Sequence, residues 1–412
     1  YTGADQTGTI SQPYTSIAKA IGEADKNSIS NVYIAAKQNG NPYVETIILK
    51  DGISLYGGYG ENFVNRDAII NKTKIQGAGV FTLYIKDATI ETTIDGLHID
   101  APDVIGNEVI AVRIENSSNA VTISNCYINL DGSVHSPTDS FGIKLNASFI
   151  NINNNTIYAN NATSTSYAIY SENSGNPIIR NNTIKTRQAT TCIAVYNKNS
   201  NMTVEKNMFE TISSCTSYTY AISSTKGTVE IVNNRIEFDK GNDLIGIYLH
   251  DTNGKVYNSV IILNNALEDA AALYHSDTSE TVTTGYYNNT IVINNPSQTG
   301  HGMFVIGTTL HLIFQNNIIA VTGGLVQNDV GDTGGGTRTY THNCSWLDGI
   351  STTYIIGTAD NNIQANPQLD GNYALIASSP ESVRTGGIDL SSLFTTDING
   401  RERTVGWSMG AF

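Results

Sequence analysis

Apolar and polar residues alternate along this chain in short bursts, and the bursts themselves recur. An Asn followed two residues later by an apolar side chain appears at Asn125-Cys126-Tyr127, Asn155-Thr156-Ile157, Asn182-Thr183-Ile184, Asn207-Met208-Phe209, Asn234-Arg235-Ile236, Asn258-Ser259-Val260, Asn289-Thr290-Ile291 and Asn317-Ile318-Ile319, each 24 to 31 residues after the last. A second marker, a small residue followed by an aliphatic one or Met, falls at Ala111, Gly142, Ala168, Ala194, Ala221, Gly246, Ala272 and Gly302, at intervals of 25 to 31 residues. The two series advance together, one of each per repeat. The period-2 alternation around both suits strands. No helical stretch separates them, so a repeat this short leaves no room for the crossover helix of a βαβ unit. Each repeat is predicted to be a flat coil of about three short strands. The stacked coils make an all-β fold, a right-handed single-stranded parallel β-helix.

Stacking sets equivalent residues above one another at about 4.8 Å, so the Asn series is expected to form a ladder of hydrogen-bonded amides inside each turn. Less regular coils precede it at Ile69–Ile75 and Thr93–Ile99. Tyr14, Ile17, Ala18, Ile21 and Ala24 fall at helical spacing after Pro13 and predict a short amphipathic cap. After about Tyr340 the ladder motif stops, and Gly334-Gly335-Gly336 marks a loop. The expected organisation is residues 1–60 as amino-terminal cap and first coils, 61–345 as the β-helix, and 346–412 as a carboxy-terminal capping segment.

A formal net charge of −14 argues against non-specific affinity for nucleic acid or anionic lipid, and a polyanionic substrate would need a local basic patch. Cys126, Cys192, Cys215 and Cys344 show no metal-ligand or CxxC spacing, which leaves room for one disulfide without requiring it. No apolar run approaches the length of a membrane span, so no membrane insertion is expected. The chain opens on Tyr1-Thr2-Gly3 instead of a basic-then-apolar leader, so any export signal is expected to lie outside it.

Two regions carry a resemblance. One comprises Gln12-Pro13-Tyr14-Thr15-Ser16-Ile17 with Ala20-Ile21, Val32-Tyr33-Ile34-Ala35, Tyr43-Val44-Glu45, and the run from Asp51 to Tyr59. The other is the tail: Asn366-Pro367, Tyr373-Ala374-Leu375, Ser379-Pro380, Gly386-Gly387, the run from Asp397 to Arg401, and Gly410-Ala411-Phe412. Together with the repeat they resemble the secreted bacterial parallel β-helix proteins of the pectate-lyase-like superfold, in particular an uncharacterised group of surface proteins. The resemblance implies the fold and an extracellular or cell-surface location. It implies little about reaction, because the superfold carries lyases, hydrolases, adhesins and passive surface proteins alike.

Strand parity around the small marker supplies the candidate site. The residue after each marker is uniformly apolar, so the residues on either side of the marker are expected to face inward, and the marker and the position two beyond it outward. That outward column reads Arg113, Lys144, Tyr170, Tyr196, Ser223, Tyr248, Tyr274 and Phe304. Aromatic rings beside a flat floor of Ala and Gly are suited to stacking sugar rings, so Tyr170, Tyr196, Tyr248, Tyr274 and Phe304 are the expected substrate-binding residues. The same column would also stabilise a sheet simply by stacking. Four positions past the marker, Glu115 and Glu172 fall about two rungs apart, near 9.6 Å, on the face of Arg113 and Lys144. These four are the candidate catalytic residues for a glycoside hydrolase, or for a lyase with Lys144 or Arg113 as base. A solvated charge cluster is the plainer reading.

Other motifs add less. Gly300-His301-Gly302 is similar to a tripeptide of the polygalacturonases, but that family's other segments are missing and His301 is expected to face inward. No metal or cofactor is expected; calcium would need clustered carboxylates, for which only the loop acids Asp329 with Asp332 and Asp239 with Asp243 offer themselves. Glycosylation patterns at Asn71, Asn146, Asn161 and Asn201 are expected by chance in a chain so rich in Asn. The function expected is that of a secreted or surface-displayed β-helix binding a carbohydrate polymer. The alternatives are a polysaccharide lyase or hydrolase, and a passive surface or adhesin module.

Overall fold

The computed structural model describes residues 7–103, 106–118, 121–130, 137–278, 282–404 and 406–412, so Tyr1-Thr2-Gly3 lies outside it. The chain is an all-β parallel solenoid, with two short helices among the described residues, Ile17–Lys26 and Glu381–Thr385. It divides into two compact units, residues 1–196 and 197–412.

In the first unit each coil contributes two strands to a wide sheet and one to a narrow sheet. Glu108–Glu115 pairs in parallel with Phe81–Lys86 and Asp139–Asn146, and Val121–Ser124 with Thr92–Asp95 and Ile150–Asn153. The narrow sheet stacks Thr73–Gln76, Leu97–Asp100, Tyr127–Asn129, Thr156–Ala159 and Thr183–Thr186. The helix Ile17–Lys26 closes the first coil with Ile17, Ile21 and Ala24 buried, as their spacing predicts, while Ala18 is exposed. Ser16 caps it, its Oγ accepting from Lys19 N–H. The Glu45 carboxylate accepts from the otherwise unpaired N–H groups of Ile17 and Ala18 at 2.9 and 3.0 Å.

The second unit repeats the plan. Tyr218–Val232 pairs with Asp243–Tyr257, which pairs in turn with Ala270–Ser276 and Thr283–Tyr287. Its narrow sheet stacks Arg235–Phe238, Val260–Asn264, Thr290–Asn294, Ile318–Thr322 and Cys344–Leu347. The tail lies along the outer face of that sheet. Val383 and Met409 pack on Ile318 and Cys344, Ala411 on Val260 and Ile262, and Leu390 and Trp407 on Tyr287. Asn258 Nδ2 donates to Thr396 O, and Asn288 Nδ2 to the carbonyls of Ser408 and Gly410.

The amide ladder forms, with three corrections to the expected rungs. In the first unit Asn155 Nδ2 donates to Asn182 Oδ1 at 3.0 Å, and Asn155 Oδ1 accepts from Cys126 N–H, so the position belongs to Cys126 and not to Asn125. In the second unit Asn207 bonds Asn234 and Asn289 bonds Asn317, but the rung between these pairs is the hydroxyl of Ser259, not Asn258. The ladder also continues through Asn343 to Asn362, beyond the Tyr340 limit. The displaced asparagines have their own backbone duty. Asn125, Asn154, Asn181, Asn233, Asn258, Asn288, Asn316 and Asn361, with Lys206 and His342, each stand one residue before a rung with φ between 51° and 57° or, for Asn288 and Asn361, 49° and 61°. Asn tolerates that left-handed conformation better than most residues, which explains the frequent Asn-Asn pairs.

Candidate functional site

The wide sheet carries the site. The small markers do not face outward as parity had implied: Ala111, Ala168, Ala194, Ala221 and Ala272 are fully buried. A Cβ on Gly142, Gly246 or Gly302 would lie 3.1, 2.8 or 2.5 Å from Ile157, Ile261 or Ile319, whose side chains fill the solenoid interior. The marker is therefore small because the interior is tight there. The residue after it is also buried, so the strand bends at the marker and presents two successive residues inward. Alternation resets, and the residue before the marker shares the outer face with the residue three places later.

This corrects the floor of Ala and Gly. Beside the aromatic column lies a second outward column, which in the first unit includes Phe81, Phe141 and Tyr167. The Phe141 and Tyr167 rings stack at 5.0 Å with an interplanar angle of 5°, and both meet Tyr170 edge-on at 5.5 and 5.2 Å. Tyr170 and Tyr196 stack at 5.2 Å. The rings are half-buried, except Phe141, which its neighbours cover almost completely. In the second unit Tyr274 meets Tyr248 and Phe304 edge-on at 5.0 and 5.2 Å, with Tyr220 beside Tyr248. His301 belongs to this outer face too, its ring 4.7 Å from Phe304 and its Nδ1 against Asn328, which corrects its inward assignment.

Register places Glu115, Asn146 and Glu172 on successive coils, with Arg113 beside Lys144 and Lys144 beside Tyr170. The charges are engaged locally. Arg113 Nε donates to Glu115 Oε1 at 2.7 Å, and the Tyr84 hydroxyl donates to Glu115 Oε2 at 2.6 Å. Burial alone would raise the Glu115 pKa; the hydrogen bonds from Tyr84 and Arg113 outweigh it and hold the carboxyl below its ordinary range. That shift opposes a role as general acid. Lys144 pairs with Glu108, a partner the sequence reading missed, and its ammonium lies 4.2 Å from the centre of the Phe141 ring. Glu172 accepts from the Tyr170 hydroxyl at 3.1 Å. The arrangement suits a rigid aromatic platform whose nearby charged groups are hydrogen-bonded or ion-paired to neighbouring side chains.

The acids weighed as weak calcium donors have other partners. Asp329 is not a loop acid: it is fully buried in the strand Val326–Asp332 and accepts from the N–H groups of Ile355 and Ile356. Asp332 also lies in that strand and pairs with Arg338 at 2.9 Å. Asp239 accepts from Asn264, and Asp243 from the N–H of Asp269. Among the described residues no group of three or more His, Cys, Asp or Glu side chains is placed to hold a metal ion. Cys126 and Cys344 are buried free thiols, and Cys192 and Cys215 are disulfide-bonded. No helix of the described residues is long and apolar enough to cross a membrane.

Compared with known protein families and with curated proteins, the sequence matches none.

Proposed function

We propose that the chain is an extracellular or cell-surface module that binds a carbohydrate polymer through the aromatic platform of the wide sheet. The observation that carries this reading is the half-buried outward rings, Tyr167 beside Tyr170 and Tyr196 in the first unit with Phe141 packed beneath them, and Tyr220 beside Tyr248, Tyr274 and Phe304 in the second. Sugar rings present apolar C–H faces that settle on aromatic faces, while tyrosine hydroxyls at the ring edges meet sugar hydroxyls. Pre-formed ring contacts mean that few side-chain rotamers need be frozen on binding. The bound state of Cys192 and Cys215 supports an oxidising compartment. The resemblance to the bacterial pectate-lyase-like β-helix proteins supports export.

The test is a panel of soluble neutral and acidic polysaccharides run in affinity gels against the wild-type chain and two variants, Tyr170→Ala/Tyr196→Ala and Tyr248→Ala/Tyr274→Ala. Retardation that either variant loses, with no new reducing or unsaturated ends, supports the proposal. Retardation unchanged in both variants removes the platform from the interaction. New ends that disappear on Lys144→Ala or Glu172→Ala would replace binding with catalysis.

A further inference from the structure

The outer face of the second unit's wide sheet holds a polar cluster beside its aromatic rings. Register sets Thr225, His250, Ser276 and Ile306 next to one another on successive coils. Ser276 Oγ lies 2.9 Å from His250 Nδ1 and 3.3 Å from the Tyr248 hydroxyl. At the other edge of the imidazole, His250 Nε2 is 3.5 Å from Asp251 Oδ2. Asp251 is buried and held by Thr278, whose N–H and Oγ1 each donate to it at 2.9 Å. A hydroxyl, an imidazole and a carboxylate therefore stand in a row.

The fold does not impose this row. Bracing of one coil on the next by an Asp and a Thr recurs where Asp277 accepts from Thr309, but there the residue before the Asp is Ser276 and not a histidine. In the first unit the column of His250 and Ser276 is held by Glu115, Asn146 and Glu172. Burial alone would raise the Asp251 pKa; the hydrogen bonds from Thr278 outweigh it and keep the carboxylate charged beside the imidazole. That charge favours the tautomer with its hydrogen on Nε2, which leaves Nδ1 to accept from the Ser276 hydroxyl. The Tyr248 hydroxyl can then donate to Ser276 Oγ.

We infer that Ser276, His250 and Tyr248 form a serine-esterase centre for carboxylic esters with a small apolar acyl group. Ser276 Oγ attacks the ester carbonyl carbon while its proton passes to His250 Nδ1. The bond from that carbon to the alcohol oxygen breaks, and the alcohol leaves with the proton. Water then attacks the acyl-serine, giving a proton to His250, and the carboxylic acid departs as Ser276 Oγ recovers its hydrogen. The Tyr248 hydroxyl donates to the oxyanion formed at each attack. Asp251 is a positioning residue, which orients the imidazole and offsets its charge when protonated. The acyl group rests on Ile306, 38% exposed on the next coil, and on Phe304 beside Tyr274. This activity goes beyond polymer binding and does not rest on it.

The experiment treats the full chain with p-nitrophenyl acetate to follow hydrolysis, and separately with a fluorophosphonate, which labels activated serines, followed by peptide mass spectrometry. The expected result is sustained p-nitrophenolate release and an adduct on Ser276 that the heat-unfolded chain does not take up. Ser276→Ala and His250→Gln lower kcat/KM about a hundredfold or more. Tyr248→Phe and Asp251→Asn lower kcat with KM unchanged, a split that loss of packing alone would not give. Labelling of the wild-type chain decides the matter even where a variant fails to fold. Release that is equal in the wild type and Ser276→Ala, no adduct on Ser276, or equal labelling of the unfolded chain overturns the assignment. Neither readout involves a polysaccharide, so their failure is distinct from failure of the platform.

Discussion

Replacing Asn317 by alanine tests whether the amide ladder holds the coils together. Its Oδ1 accepts from both the backbone and the side-chain N–H of Asn289, each at 2.9 Å, and its Nδ2 donates to Tyr286 O at 2.9 Å and to Asn343 Oδ1 at 3.1 Å. Asn289, Asn317 and Asn343 are all fully buried. Alanine would leave the two Asn289 donors without an acceptor, whereas Asn343 Oδ1 would keep the backbone N–H of residue 317. At roughly 1 to 3 kcal/mol for each orphaned buried donor, the loss comes to about 4 kcal/mol. The assay is equilibrium urea unfolding followed by tryptophan fluorescence, since both tryptophans, Trp346 and Trp407, lie in the second unit. Ser259 occupies an equivalent rung and accepts from Asn234 N–H at 3.3 Å, so Asn317→Ser is expected to recover part of the loss. A loss below about 1 kcal/mol in Asn317→Ala, with an unchanged denaturant slope, would refute the reasoning.

Two further outcomes follow from the second unit. Burial holds the His275 imidazole neutral, its pKa pushed down to about 3 from an ordinary 6.5, with Nδ1 2.9 Å from the Tyr286 hydroxyl. The unfolded chain therefore takes up a proton that the folded one refuses, and stability falls as pH drops from 6.5 toward 3. The slope is at most about 1.4 kcal/mol per pH unit. His275→Gln should flatten the urea midpoint across that window, and a slope equal to that of the wild type would count against this account. Trp407, buried between Phe394 at 5.4 Å and Tyr287, anchors the tail. Trp407→Ala should cost about 3 to 5 kcal/mol and make the tail the first site cut in limited proteolysis; an unchanged cleavage order would show that it is not the anchor.

Much of the solenoid is legible in the sequence because its repeat is written twice, in the Asn series and in the small-residue series. The errors share one cause, which is that simple alternation does not survive a bend. At Gly142, Ala168 and Gly302 two consecutive residues turn inward, so counting by twos across the marker places Phe141, Tyr167 and His301 on the wrong face. A three-residue spacing, as in Phe81 with Tyr84, Phe141 with Lys144 and Tyr167 with Tyr170, was the available signal. At the ladder, Asn125 and Asn258 precede outward residues Tyr127 and Val260, and parity there assigns the rungs to Cys126 and Ser259. The pairing of Lys144 with Glu108 joins residues 36 apart in sequence, and no local pattern announces it.

The way the tail covers the second narrow sheet also sets an order of events. Ribosomal synthesis runs from the amino terminus, so the strands Val260–Asn264, Thr290–Asn294 and Ile318–Thr322 are complete before Val383, Met409 and Ala411 exist. During that interval the nascent chain presents an apolar strip with nothing over it, the circumstance in which unfinished β-proteins stick to one another. A chain that stops short of residue 383 would keep the strip permanently bare. The segment from Val383 to Ala411 therefore works as a quality mark, separating a chain that carries it from one cut short before it by the surface each shows.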